Sequence, residues 1–384
     1  MNRDSTTRQR LTAASIAVGL AICTGLLGGC ASSQNDAPEP RPAADLIAVS
    51  DQEMREVGYR RDWTGFPFVA SGAEIEQMAV TSAGPIAQDS SGNITRLDGS
   101  TGLNRWTTAV ATPLTRFVGV DEDVFNGQRA AMVSTQSEVF WLDLNTGNLL
   151  ARQDLSVVAN TAPIIVGPYA VFASPTGEVF AHHRVPGSKS WGFRVNGTVT
   201  VDPVATPLGS VAVLSQSGDL VYLEPTRGAL LGRTQLFGGA AHPPAVGNGA
   251  LYVASLDQSL YAFDFEGNQV WRYRTPVQLN TKPVAFDGAV FVEIPGAGMH
   301  AFEQQTGELI WSNTDVRGSV VGEVSGRLLV FDGAMLHTVA PASGTIFDSA
   351  AVEGVREVVS QPFVDGELFM LREDGGVAKF ISIN

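Results

Sequence analysis

Few residues of this chain have the types and spacing that chemistry needs. The 384 residues include two cysteines, Cys23 and Cys30, and five histidines. Both thiols fall within the first thirty positions, so the rest of the chain has no thiolate nucleophile, disulfide or Cys-ligated metal. His182 and His183 are adjacent, and on a strand adjacent side chains point to opposite faces, so one ion could not easily draw on both. They are expected to be surface residues of an edge strand. His242 precedes Pro243-Pro244 and the chain has no Gly-x-Ser-x-Gly elbow, so no Ser-His-Asp order can be assembled. Asp98, Asp143 and Asp264 each end an alternating stretch just before a Gly turn, where Asp caps the turn through its own side chain. Recurrence at one station makes them architecture. The reading is therefore no catalytic residue, no metal and no cofactor.

Cys30 is the exception. Arg3, Arg8 and Arg10 form a positive start, and Leu11 to Leu27 is an apolar stretch without charge. It ends in Leu27-Gly28-Gly29-Cys30, which resembles the bacterial lipobox. The expectation is a signal peptide over 1–29 and a Cys30 that is diacylated and becomes the mature N-terminus, held in a membrane by about 0.8 kcal/mol per buried methylene. Ala31 follows where Asp would retain an enteric-type lipoprotein in the inner membrane, which points to the outer membrane and its periplasmic face. Residues 30–57 read as a lipidated, Pro-rich tether ending in a short helix over about 50–57, since Ser50-Asp51-Gln52-Glu53 is a capping-box pattern.

The charge closes off other classes. The chain carries −14 formally, with 25 Lys+Arg against 39 Asp+Glu. Removing 1–29 takes away three Arg and one Asp and leaves −16. Such a surface cannot displace counterions from phosphates, so nucleic acid is excluded as a partner. A content of 44% hydrophobic and 17% charged residues excludes a disordered chain.

What positions these residues is a repeat. Gly102, Gly147, Gly187, Gly228, Gly267, Gly307 and Gly344 stand 37 to 45 residues apart, each followed by a large apolar residue: Trp106, Leu150, Trp191, Leu230, Trp271, Trp311 and Phe347. In phase with them run eight alternating stretches, from Asn93–Leu97 through Ser259–Phe263 to Gly376–Phe380. Four short strands per forty residues, punctuated by Gly, Asp and Pro, spell a propeller blade. No helical period is sustained in this region. The last unit stops before its Trp strand, and Gly58 to Phe66, with Trp63, supplies a spare one. The expected fold is all-β, an eight-bladed propeller of four-stranded antiparallel blades over 58–384, closed by an N-terminal strand that completes the last blade and covers two open edges.

The units follow Pro-x4-Gly-x2-Tyr/Phe-Val-x-Ser-x2-Gly-x2-Tyr-Ala-Phe-Asp-x2-Thr-Gly-x3-Trp, clearest at 244–271 and 283–311, and this resembles the PQQ-type propeller repeat. Eight such units behind a lipobox resemble the BamB family, lipoproteins of the outer-membrane β-barrel assembly machinery. The resemblance implies a non-enzymatic scaffold that docks on the barrel-inserting outer-membrane protein and helps present unfolded outer-membrane protein substrates, by strand addition at exposed edges. The family's partner-contacting loop has its nearest match in Asp315-Val316-Arg317-Gly318, which falls in the connection into blade seven, later than the family places it; it reads as an inter-blade loop, and the partner-binding residues stay unassigned. Quinoprotein dehydrogenases share the repeat and form the alternative. They need Ca²⁺, an Asp base and commonly vicinal cysteines beneath the quinone, and this chain has no vicinal cysteines. A cell-envelope propeller that binds glycan or peptide is the remaining reading.

Overall fold

Turn residues recurring every forty positions cut the chain into strands too short to be stable alone, so they must gather into sheets and the sheets must pack on one another. The computed structural model describes residues 49–383, and there the chain forms eight four-stranded antiparallel sheets preceded by a single short helix. Blades 1 to 7 use consecutive strands from Ile75 to Ala351; blade 5, for example, is Ala245–Val246, Leu251–Ser255, Ser259–Phe263 and Gln269–Arg274. Blade 8 takes Val355–Gln361, Glu367–Arg372 and Val377–Ser382 from the C-terminal end and Tyr59–Gly65 as its outer strand. The register runs from Tyr59 opposite Ser382 to Gly65 opposite Val377. The ring is closed by the chain's own beginning, as the spare Trp63 segment predicts.

Blades bury both faces against their neighbours, so the middle strands are buried at nearly every position, as in Leu251–Ser255 and Ser259–Phe263. The outer strands alternate, and in Gln269–Arg274 only Trp271 is buried. Trp271 and its counterparts join the blades. Each indole N–H donates to a carbonyl in the next blade's turn: Trp63 to Gly99, Trp106 to Leu144, Trp191 to Pro225, Trp271 to Gln304 and Trp311 to Pro341, at 2.7 to 3.0 Å. Each ring lies flat on that turn's glycine. A Cβ on Gly102, Gly147, Gly228, Gly307 or Gly344 would fall 2.4 to 2.6 Å from the tryptophan, and all five have φ between 66° and 73°.

Three of the tryptophans face a small cross-strand partner, while Trp63 and Trp106 face Lys379 and Arg96. Ala181, Ala262 and Ala301 on third strands sit opposite Trp191, Trp271 and Trp311. In blades 2 and 4 the sizes are exchanged, with Trp141 opposite Ala151 and Tyr222 opposite Gly232. This corrects part of the repeat reading. Leu150, Leu230 and Phe347 do not take the tryptophan's place; Leu230 and Phe347 are exposed, and the register positions belong to Ala151, Gly232 and Asp348. The reason is spacing: the tryptophans stand four residues after their glycine, Leu150 and Phe347 three and Leu230 two. In every blade the outer strand carries one extra residue just before the tryptophan station, namely Asp62, Arg105, Leu150, Ser190, Leu231, Val270, Ile310 or Phe347, so Leu150 and Phe347 fall on that bulge.

The seam between blades 7 and 8 has no tryptophan, and the helix Asp51–Glu56 fills it. Met54 and Val57 are buried there with Val324, Leu329, Val352 and Phe380. The Ser50 hydroxyl accepts from the Glu53 amide at 3.3 Å, as a cap should, but the Glu53 carboxylate accepts from Ala351 N at 3.0 Å instead of closing the capping box. Only half the box forms because the other half anchors the helix to blade 7.

Trp271→Ala is expected to cost about 3–5 kcal/mol, because it empties a buried site and removes one of the two donors, with the Tyr252 hydroxyl, to the Gln304 carbonyl. The neighbouring bulge variant Val270→Ala should stay within about 0.5 kcal/mol. Denaturant unfolding of both decides it, and equal losses would show that the seam is not held at the indole.

Candidate functional site

The turn carboxylates behave as the sequence predicts. Asp98 accepts from the Ser100 and Thr101 amides at 3.1 and 3.0 Å and from Arg105 Nε at 2.8 Å, and the Ser100 and Arg105 bonds hold its carboxyl far below the usual range. Asp143 is held down mainly by the Thr146 amide. At Asp264 burial pushes the other way, but the bonds from Asn268 prevail and the group is lowered. Two residues of this class escape sequence reasoning. Glu224 accepts from the Thr226 and Arg227 amides at 2.9 Å, and Glu303 from those of Gln305 and Thr306 at 2.9 and 2.5 Å. Glutamate is not a usual turn cap; the signal that could have found them is the Gly four residues on, Gly228 and Gly307, at the phase of the repeat.

His182 corrects the expectation of a surface histidine. It is buried on the third strand of blade 3, Glu178–His183, and its Nε2 meets Gln153 Oε1 at 3.0 Å. Gln153 also accepts from Trp141 Nε1 at 3.1 Å and donates to Arg184 O at 2.8 Å. Gln153 does the tryptophan's work at the seam between blades 2 and 3, lying against Gly187, and His182 fills the room a full indole would take. Burial, with the charge of His183, pushes the His182 imidazole down to about 4, so it is neutral at pH 7. His183 lies edge-on to Tyr169 at 5.4 Å, on the opposite side of the strand as expected. His242 Nε2 meets the Asn280 carbonyl at 3.0 Å. Among the described residues no three His, Cys, Asp or Glu side chains come together as a metal site would need. The Asp315–Gly318 loop does connect blades 6 and 7; Val316 is buried, Gly318 N donates to Glu293 Oε2 at 2.9 Å and Arg317 is exposed. Cys30 and the signal and tether assignments lie outside the described residues.

The groups left without structural duties gather around the axis. The innermost strands of blades 5 to 8 line a cavity of about 530 Å³ with Val246, Val284, Val320 and Val358, together with Lys282 and Glu357. Burial raises the Glu357 carboxyl. Asp121, on the inner strand of blade 2, is pushed up to about 6 by burial and by Asp202, and Asp202 is itself raised by burial against the opposing effects of the Ala162 amide and Lys282. The arrangement is a lined channel with buried charge and without a nucleophile–base pair.

The family model described as "Outer membrane protein assembly factor BamB" matches residues 63–175, 90–242, 175–314 and 216–384. The chain belongs to the BamB family. Outer membrane protein assembly factor BamB of Burkholderia pseudomallei is 31% identical over 157 residues, which is 39% of this chain and 41% of the relative. That of Bordetella pertussis is 25% identical over 159 residues, 40% and 41% respectively. The matched segments thus span about two fifths of these relatives. The crystal structure of BamB from Moraxella catarrhalis superposes with a TM-score of 0.63 at 20% identity, over 79% of this chain and 96% of that one. A computationally designed protein, Ika8, gives 0.68 at 12% identity, over 84% and 99%. At such identities the likeness is one of fold, and the BamB assignment rests on the family match around the whole ring.

An acid whose folded pKa is raised binds its proton more tightly in the folded state, so stability falls as pH rises from its unfolded value near 4 through about 6. Asp121→Asn removes this penalty. It should be more stable than the parent by roughly 1–2 kcal/mol at pH 7 and equal to it at pH 4. Thermal unfolding at both values checks this; a gap no larger at pH 7 would mean the axial charges do not burden Asp121.

Proposed function

We propose that this chain is a non-enzymatic scaffold of outer-membrane β-barrel protein assembly, lipid-anchored through Cys30 to the periplasmic face of the outer membrane. It docks on the barrel-inserting protein and helps to deliver unfolded outer-membrane proteins. The observation that carries this reading is the family match from residue 63 to the C-terminus, which takes in every blade. The chemistry of the ring agrees with it. The recurrent turn carboxylates and His182 are committed to turns and a seam, while the bulge residues Leu231, Val270, Ile310 and Phe347 expose apolar side chains on four consecutive blades. An arc of that kind suits protein contact. The acidic surface disfavours direct adsorption to anionic lipid, so attachment falls to the acyl chains.

A pull-down from membranes in mild detergent should recover one large, heat-modifiable β-barrel protein in stoichiometric amount. Recovery of only soluble partners or glycans would sink the assembly role. Separately, Cys30→Ser should release the protein into the soluble periplasmic fraction, and unchanged membrane association would refute the lipid anchor.

A further inference from the structure

One segment of the chain shows what the inner wall of the ring accepts. The connection between the first two strands of blade 8, residues 362–366, does not turn tightly but reaches across to blade 7. There Val364 forms a parallel bridge with Glu323: the Glu323 amide donates to Phe363 O and the Asp365 amide donates to Glu323 O, both at 2.8 Å. The strand it joins, Ser319–Val324, is the innermost of blade 7, paired on its other side with Arg327–Phe331. Phe363 continues to blade 6 and packs on Phe286 at 5.2 Å. The protein has added an extended piece of itself to the inner edge of one blade.

That piece covers only the end of the edge. The remainder, Ser319, Val320 and Val321, lines the axial cavity of about 530 Å³, which Phe363 bounds at one end. The cavity lies in the range of ligand-binding sites. Its walls are mostly Val and Ala, which suit small apolar side chains, and Lys282 and Glu357 offer one charge of each sign for polar ones. The hydrogen-bonding side of an edge strand is satisfied in full only by another extended backbone.

We propose that the axial cavity is a strand-accepting site, in which an extended peptide of alternating apolar and polar residues pairs with Ser319–Val321 and prolongs the course already set by Phe363–Asp365. At about 3.3 Å per residue the paired stretch is roughly 10–13 Å, three or four residues. The site stands on the geometry alone; that the arriving peptide is a segment of an unfolded outer-membrane protein rests on the scaffold reading above. The family resemblance suggests strand addition in general, and the 362–366 crossing assigns it to the inner edge of blade 7.

The test uses the purified full-length chain in detergent and a fluorescein-labelled ten-residue peptide of alternating Val and Thr. Saturable binding is expected, weakened at least tenfold when alternate amides of the peptide are N-methylated, because methylation removes the donors and keeps the side chains. Filling the cavity by Ser319→Trp should weaken binding by a similar factor with the thermal midpoint retained. If that variant unfolds, Ala285→Trp from the opposite wall replaces it. Equal binding of the methylated peptide, unaltered binding by a folded cavity-filling variant, or no saturable binding overturns the site. The membrane pull-down is a separate reading, so loss of peptide binding with the barrel protein still recovered condemns the cavity and leaves the scaffold role standing.

Discussion

Everything in this ring depends on one contact, an indole lying flat on the glycine of the next blade's turn while its N–H holds a carbonyl of that turn. The contact is directional and the same at five of the eight seams, where it fixes how far one blade rotates from the next. It also explains why the turn must be glycine. A positive φ would alone favour Gly or Asn, but the ring approaches to where a Cβ would stand, and that excludes every other residue. Burial of the middle strands supplies most of the apolar free energy; the indole supplies the geometry.

The remaining seams are filled by other means. Blades 2 and 4 move the bulk to the third strand, Trp141 and Tyr222, and place Ala151 or Gly232 opposite. The seam between blades 2 and 3 divides the space between Gln153 and His182. At the seam of blades 7 and 8 a helix does the work, with Met54 and Val57 in place of a ring. The closing seam, between blades 8 and 1, carries added polar ties. Lys379 and Trp63 both donate to Gly99 O at 3.0 Å, and Arg356 donates to Ile75 O at 2.7 Å. Lys379 and Arg356 come from the C-terminal strands of blade 8 and bond residues some 280 positions away, which reinforces a seam that the chain itself crosses between Gly65 and Ile75.

Much of this was legible in the sequence, because it follows from local rules repeated in phase. Eight alternating stretches in phase with seven glycines about forty residues apart gave the blade count, the spare Trp63 strand gave the closure, and Ser50 with Glu53 gave the helix start. What could not be read depends on contacts between segments distant in sequence. Leu150, Leu230 and Phe347 are the large apolar residues nearest after their glycines, but they stand one or two positions short of the tryptophan station, and Leu230 and Phe347 face solvent. Glu53 completes a capping box on paper and binds Ala351 in space. His182 seemed a surface residue because the strand pattern does not tell which blade will sit on it, and Gln153 lies twenty-nine positions away. The axial group of Asp121, Asp202, Lys282 and Glu357 has no motif at all, since each comes from a different blade and only ring closure brings them near.

That last point bears on how such a fold builds a binding surface. A propeller brings one inner strand from every blade to its axis, so whatever those strands carry becomes a site without any local signature. In this chain they carry mostly valine and alanine, a few carboxylates raised by burial, and one lysine. Raised carboxylates without a base, nucleophile or metal cluster beside them store a preference for compensating charge, which is a property of recognition. The inner strands also keep one side of their backbone free, and in blade 7 the chain already uses that side to hold Val364. The same repetition that makes the outer seams rigid therefore leaves, at the centre, a set of edges whose natural complement is an extended polypeptide.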